Sequence, residues 1–116
     1  MSEKGRGQMK AIFESAAPWL SGTTAEALFA ETEKNKAVYQ LSVLAEALKD
    51  MPMYCINAKL DDECSADVHV IPWVTAVNAA GGNIMHEEWV TDHSFSDMRD
   101  QLIEAVAKYL IAQVEK

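Results

Sequence analysis

The sequence has no apolar run close to the roughly 18 residues that a membrane-spanning helix needs, and basic residues are the minority of its charges. Its 18 acidic and 10 basic side chains give a net charge of −8. Such a surface repels the phosphate backbone of nucleic acids, and the sequence has no cluster of Lys and Arg to offset this repulsion. We therefore expect neither a membrane nor a nucleic acid as a partner.

Cysteine is also scarce. The two cysteines, Cys55 and Cys64, are not spaced as a Cys-x-x-Cys pair, so we expect two free thiols in a reducing, cytoplasmic environment. The first eight residues carry charges, but no apolar segment follows them, and they do not have the pattern of a signal peptide. We expect residues 1–8 to form a flexible leader.

Apolar residues are plentiful and regularly spaced. They make up 49% of the chain, which is enough for one packed domain over residues 9–116. Thr23 and Glu26 have the spacing of a capping box and predict a helix over residues 24–32. The polar residues 31–36 predict a loop.

The next apolar pattern predicts a helix over residues 38–48, which Pro52 prevents from continuing. The residues that recur at helical spacing are Val38, Leu41, Leu44, Ala45 and Leu48. Polar residues lie off this stripe, so we expect one continuous amphipathic helix.

Two short apolar runs predict strands. Residues 53–58 are bounded by breakers, as a buried parallel strand would be, and residues 84–90 are more polar, as suits a strand nearer a sheet edge. The helical pattern between them ends at Gly81-Gly82, and Pro72 within it predicts a kink or a break. A connection of this length joins parallel strands, so the predicted fold class is α/β, with a β-α-β unit of two parallel strands flanked by helices.

Polar turns follow both predicted strands. Leu60-Asp61-Asp62-Glu63 comes after the first strand, and Thr91 to Asp97 comes after the second, before a last helix that Ser96 is expected to cap. The carboxyl ends of neighbouring parallel strands meet at one edge of the sheet. The sequence therefore predicts that Asp61 and His93 lie close together.

These turns resemble the C-terminal part of an α/β-hydrolase. Residues 58–61, Ala-Lys-Leu-Asp, are similar to the family's Gly-x-x-Asp turn, with Ala58 in place of the usual glycine. Residues 92–99, which begin Asp-His-Ser-Phe-Ser-Asp, resemble a turn of bacterial members of the family. Residues 102–110 match the helix that closes that fold, and the resemblance as a whole covers residues 37–112.

The resemblance implies a partial α/β-hydrolase fold in which Asp61 is the triad acid and His93 the triad base, with Asp62 as the acid if the turn is shifted by one residue. Residues 37–116 would be the C-terminal hydrolase-like unit, and residues 9–36 a lid or covering helices. The family's nucleophile motif, Gly-x-Ser-x-Gly, does not occur in the sequence. The expectation is a truncated hydrolase-like protein that is not catalytic alone and uses no cofactor.

Three functions are open at this point. The first is a homo-oligomer or a complex with a complementing chain, because two parallel strands alone leave unpaired sheet edges. The second is an esterase-like serine hydrolase whose nucleophile comes from another chain, with His93 as the base. The third is a small ligand-binding module that uses a cleft near Asp61 and His93 without catalysis.

Metal binding is a further alternative that the sequence does not favour. The candidate ligands are Asp61, Asp62, Glu63, Cys64 and His69, together with His86-Glu87-Glu88. Their spacing matches no closed four-ligand zinc pattern, and short acidic turns are usually solvated. No metal site is predicted.

Overall fold

The computed structural model describes residues 2–116, and Met1, the first residue of the expected leader, lies outside the described residues. In chain order the elements are α1 (Glu3–Ala16), a 3₁₀ turn (Ala17–Trp19), α2 (Ala25–Lys34), α3 (Lys36–Tyr39), a second 3₁₀ turn (Leu41–Leu44), α4 (Ala45–Leu48), β1 (Met53–Ala58), α5 (Ala66–His69), α6 (Ile71–Ala79), β2 (Ile84–Trp89) and α7 (Arg99–Val114). Helices surround a small parallel sheet, and the protein is therefore of the mixed α/β class, as the sequence predicts.

The two strands pair in parallel, with Met53 opposite Ile84 and Ala58 opposite Trp89. Helices α5 and α6 make the connection between them. Among residues 2–116 the sheet has these two strands only, so each strand keeps one edge without a strand partner. The predicted strands, their direction and their boundaries to within one residue are confirmed.

Pro72 divides the connecting helix, as the sequence predicts. Helix α5 ends at His69, α6 begins at Ile71, and Pro72 lies in the first turn of α6. Proline is tolerated there because the N–H groups of the first turn have no partner within the helix.

The core lies where α4 and α6 meet the sheet. The fully buried Val77 packs with Ala45 and Ile84, and the half-buried Met53 and Trp73 complete the cluster. Gly82 closes this corner tightly, because a Cβ atom there would lie 2.8 Å from both the Lys49 carbonyl oxygen and a Val77 methyl group. A side chain at this position would push the loop before β2 away from α4.

The expected flexible leader is wrong for Glu3 to Gln8, which form the first turns of α1. The Ser2 hydroxyl caps this helix by accepting a hydrogen bond from the Gly5 N–H at 3.1 Å. Helix α1 also packs against α2 and α5, and Lys4 forms an ion pair with Asp67 of α5 at 2.7 Å. These contacts between distant parts of the chain order a segment whose composition predicts a leader.

The region between α2 and β1 also differs from the prediction. Helix α2 continues to Lys34 and α3 begins at Lys36, so the loop expected over residues 31–36 is wrong. The single helix expected over residues 38–48 is interrupted at Gln40, whose backbone is extended at φ −79° and ψ 117°. Only the second half of that amphipathic pattern reaches the core.

Two predicted helix caps are displaced. Thr24, and not Thr23, caps α2 by accepting a hydrogen bond from the Ala27 N–H at 3.1 Å. Helix α7 begins at Arg99, and the expected cap Ser96 belongs to the preceding turn. Within the described part of the chain, no helix is long and apolar enough to span a membrane.

Candidate functional site

The loops that follow β1 and β2 run side by side at the carboxyl edge of the sheet. The Lys59 N–H donates to the Trp89 carbonyl oxygen at 2.7 Å, and the Leu60 N–H donates to the Thr91 carbonyl oxygen at 3.1 Å. Strand-like pairing thus continues past the end of both strands. It fixes the distance between the next residues of the two loops.

Asp61 directly follows Leu60, and its side chain is held by hydrogen bonds within its own turn. Its Oδ1 accepts hydrogen bonds from the backbone N–H groups of Glu63 at 3.0 Å and Cys64 at 2.8 Å. This side-chain-to-backbone turn is a common role of Asp. It leaves Oδ2 free to face the neighbouring loop, and the side chain is only 10% exposed.

His93 lies opposite and pairs with that free oxygen. Its Nδ1 is 2.8 Å from Asp61 Oδ2, and the ring nitrogen is the donor because a carboxylate can only accept. The His93 side chain is 48% exposed, and its Nε2 lies 4.0 Å from the Glu63 carboxylate. The structure therefore brings together the predicted acid and base, while Asp62 forms no ion pair among the described residues.

The pairing changes the acidity of both groups. Burial disfavours the charged form of Asp61, but hydrogen bonds from the Cys64 N–H and from His93 outweigh it and hold the carboxyl pKa below its usual value. The hydrogen bond to Asp61, followed by its negative charge, raises the pKa of His93. Asp61 thus stays ionised and stabilises the protonated imidazole, which is what the acid of a triad does.

The turn carrying His93 is built by side-chain contacts. Thr91 is buried, and its hydroxyl donates to the Asp97 carboxylate. The Asp92 carboxylate accepts hydrogen bonds from the backbone N–H groups of Ser94 at 3.1 Å and Ser96 at 2.9 Å. Asp92 and Asp97 therefore shape the turn, and neither contacts the His93 ring by a hydrogen bond.

Phe95 completes this turn in a conformation that is rare for a side-chain-bearing residue. Its φ is 52°, in the left-handed region that few residues other than glycine, Asn and Asp adopt. Its ring packs edge-on against Trp89 with the centroids 6.2 Å apart. The contact between the two rings helps to stabilise Phe95 in this strained backbone conformation.

No hydroxyl group within residues 2–116 donates a hydrogen bond to His93. The thiol of Cys64 lies near His93. Its sulfur is within 4.8 Å of both a His93 ring nitrogen and an Asp61 oxygen. Burial, then the charges of Asp61 and Glu63, raise the pKa of the Cys64 thiol. A reactive cysteine needs the opposite shift, so this thiol is not an activated nucleophile.

Cys64 is grouped with Asp61 as a candidate ligand in the sequence, but the sequence did not predict that it lies beside His93. The available signal was its position in the same tight turn as Asp61, three residues away. An Asp that bonds the N–H three residues later brings that residue's side chain close to its own. The turn chemistry therefore contained the information, although the residue spacing matched no motif.

The histidines that the sequence offered as further ligands, His69 and His86, bond to other partners. His69 binds Gln8 of α1 through Nε2 at 3.1 Å. The Nε2–H of His86 donates to the side-chain oxygen of Asn57 at 2.6 Å, and the Asn57 amide donates to Glu88 at 3.1 Å. Asn57 is buried, so these bonds satisfy a polar group inside the sheet.

A separate cleft of about 730 Å³ lies between the sheet and α7. Met85 and Trp89 line it from the sheet, and Ala105 lines it from the helix. The rings of Tyr54 and Tyr109 meet across it with centroids 5.0 Å apart. The acid–base pair does not line this cleft.

Comparison of the chain with models of protein families, with curated proteins and with solved structures found no match. The case for a function therefore depends on the geometry of the site.

The Asp61–His93 pair predicts a specific dependence of stability on pH. Because the pKa of His93 is raised in the folded protein, His93 contributes to the free energy of unfolding. This contribution is complete below the pKa of the unfolded state, about 6.5, and is lost as the pH rises through the pKa of the folded state. A lowered Asp61 pKa gives a contribution present above about 3.9 and lost as the pH falls through the folded value. Asp61→Asn keeps an oxygen for the backbone hydrogen bonds but removes the charge. We expect its loss of stability to be greatest near about pH 5, and on the order of 1 kcal/mol or less because His93 is half exposed.

Urea unfolding of the wild type and of Asp61→Asn at a series of pH values measures this difference. Asp62→Asn is the matched control, since it removes a neighbouring carboxylate that forms no ion pair among the described residues. A loss of stability in Asp61→Asn that is the same at every pH would show that the pair does not carry charge in the folded protein.

Proposed function

We propose that this protein is the acid–base part of an α/β-hydrolase fold and that it acts within an assembly instead of catalysing a reaction alone. The observation that carries the proposal is the 2.8 Å contact between Asp61 and His93. The two residues follow the carboxyl ends of neighbouring parallel strands, where the acid and base of such hydrolases lie. For the fold, we propose that β1 and β2 correspond to two neighbouring strands of a hydrolase sheet.

The site supports an acid–base role but supplies no acyl-transfer chemistry of its own. A serine becomes a nucleophile when its hydroxyl is bonded to the base and its transition state is stabilised by an oxyanion hole. No hydroxyl group of residues 2–116 is bonded to His93, and the sequence has no Gly-x-Ser-x-Gly turn. The nucleophile for His93 would therefore come from outside these residues.

The surface of the chain supports association with another polypeptide. Its accessible area is 7938 Å², whereas a compact monomer of 12.8 kDa exposes about 6,300 Å². Its radius of gyration is 16.2 Å, against about 13 Å for a compact domain of this length. The surplus of about 1,600 Å² exceeds the roughly 800 Å² that each partner buries in a standard interface.

Part of this surplus accessible surface lies on helix α7, where exposed apolar residues recur at helical spacing. Its narrow inner face includes Tyr109 and points at the sheet. Its outer face carries exposed apolar residues, and we call four of them, which recur at helical spacing, the α7 stripe: Ile103, Val106, Leu110 and Val114 are 66%, 41%, 57% and 86% exposed. Such a stripe is typical of a helix that packs against a second helix. We propose that the α7 stripe packs against the same stripe of a second copy of this chain, because one self-complementary face serves both partners.

Light scattering of the purified chain over a series of concentrations tests this assembly. We expect a dimer whose mass falls to that of a monomer in Leu110→Glu, because the substitution buries a charge in the interface. Val38→Glu is the matched control, since Val38 is 63% exposed on α3 and outside the stripe. A wild-type chain that stays monomeric at high concentration, or a Leu110→Glu chain that dimerises like the wild type, would overturn the proposal.

A hydrolase completed by a second, different polypeptide is the alternative that one further observation favours. The His93 side chain is half exposed, and Asp61 occupies its Nδ1, so Nε2 is left to accept a proton from an incoming serine. His93 would take that proton and return it to the leaving group of an ester.

This alternative is tested by measuring ester turnover in an assembled complex of this chain with a polypeptide that carries the Gly-x-Ser-x-Gly turn. Ester turnover should appear on assembly and fall by about 10²- to 10⁴-fold in His93→Ala, the usual contribution of a general base. His69→Ala is the control, because His69 binds Gln8 and lies away from the site. A correctly assembled complex without turnover would exclude this function.

A further inference from the structure

Three different metal-ligating side chains converge at the carboxyl edge of the sheet. A carboxylate oxygen of Asp61, the sulfur of Cys64 and a ring nitrogen of His93 all lie within 4.8 Å of one another. Asp61 and Cys64 come from the turn after β1, and His93 comes from the turn after β2. The acid–base role of the site uses two of these side chains and leaves the thiol without a function.

The turn after β1 fixes the relative positions of two of the three ligands. The Cys64 N–H donates to Asp61 Oδ1 at 2.8 Å, so the thiol is anchored on the same side of the turn as the carboxylate. Asp61 Oδ2 points away from these backbone bonds and towards His93. The Asp61 oxygen and the Cys64 sulfur are thus available together, on a backbone that is already ordered.

The size of the gap between the three atoms suits a small ion. Three atoms that lie at most 4.8 Å apart have a common centre at about 2.8 Å or less from each. This is close to the roughly 2.0–2.3 Å of Zn–O, Zn–N and Zn–S bonds, so small side-chain rotations would complete the contacts. A thiol with an imidazole selects Zn²⁺ over Mg²⁺ or Ca²⁺, which prefer oxygen ligands.

The surroundings of this cluster also favour a cation. The Glu63 carboxylate lies 4.0 Å from His93 Nε2 and is 68% exposed, so it adds negative charge close to the cluster. The chain as a whole carries a net charge of −8. A divalent ion would offset the repulsion that this acidic turn imposes on a thiolate.

We propose that Asp61, Cys64 and His93 bind one Zn²⁺ ion. The ion takes the place of the Nδ1 proton of the protonated His93 ring and of the thiol proton of Cys64. The ring keeps its Nε2 proton, and the two displaced protons leave to solvent. The zinc-bound chain therefore has no free acid–base pair, and zinc and catalytic use of His93 exclude each other. The proposal does not rest on the hydrolase assignment, because it needs only the three side chains and their distances.

Titration of the purified chain with Co²⁺, a spectroscopic substitute for Zn²⁺, tests the site. We expect one equivalent to bind with a thiolate-to-cobalt charge-transfer band and to be displaced by Zn²⁺. Cys64→Ser should abolish the band, and His93→Ala and Asp61→Asn should each weaken Zn²⁺ binding by about tenfold or more, measured against a chromophoric chelator.

Matched variants separate the proposed site from adventitious binding. Cys55→Ser and His69→Ala should keep the band and the affinity, because Cys55 lies within β1 and His69 binds Gln8. Circular dichroism of each variant verifies that the fold is retained. Absence of the charge-transfer band in the wild type, or equal losses in the Cys55 and Cys64 variants, would overturn the proposal.

Discussion

The parallel pairing of β1 with β2 is the constraint on which the rest of the structure depends. Parallel strands need a long crossover, and α5 and α6 provide it while packing Val77 onto the sheet. The same pairing extends through Lys59 and Leu60 into the loops. It is this extension that places Asp61 and His93, which are 32 positions apart in the sequence, within one hydrogen bond.

The two members of the pair are held very differently. Asp61 is nearly buried and fixed by two backbone N–H groups, whereas the His93 ring is half exposed. The fixed carboxylate sets the charge and orientation of a ring whose far side remains open. An incoming serine would use that open side, whereas a zinc ion would replace the proton between the ring and Asp61. Zinc binding would therefore limit when the proposed assembly can act.

The incomplete packing of the chain gives the site its context. Few apolar side chains are buried, and α7 keeps an apolar face exposed on the side away from the sheet. Burial of apolar surface is the main driving force of folding and association. A partner that covers the α7 stripe would therefore add stability to a small core and would also hold the closing helix against the sheet.

Patterns of neighbouring residues predicted much of this structure from the sequence. Both strands were predictable because short apolar runs lie between breakers, and the break at Pro72 follows from its missing N–H. The contact between Asp61 and His93 follows from the geometry of parallel strands. These features need no knowledge of which distant residues meet.

The features that sequence reasoning missed depend on distant contacts or on the details of a turn. Residues 3–8 look like a leader, yet α1 is ordered by Lys4 and Gln8 through their bonds to α5 and the turn before it. The apolar pattern of residues 38–48 does not reveal the extended backbone at Gln40. Cys64 lies at the site in a turn held by the hydrogen bond from its backbone N–H to Asp61, which the spacing of the two residues in the sequence does not predict.

An NMR titration of the His93 ring nitrogens in the metal-free chain measures whether Asp61 orients the ring and favours its protonated form. We expect a pKa above the ordinary histidine value and, once the ring is neutral, a proton on Nδ1 with Nε2 left as the acceptor. A pKa that is not raised, together with a neutral ring protonated on Nε2, would contradict this orientation, because such a ring does not donate to Asp61 and its unprotonated Nδ1 faces Asp61 instead of an incoming serine.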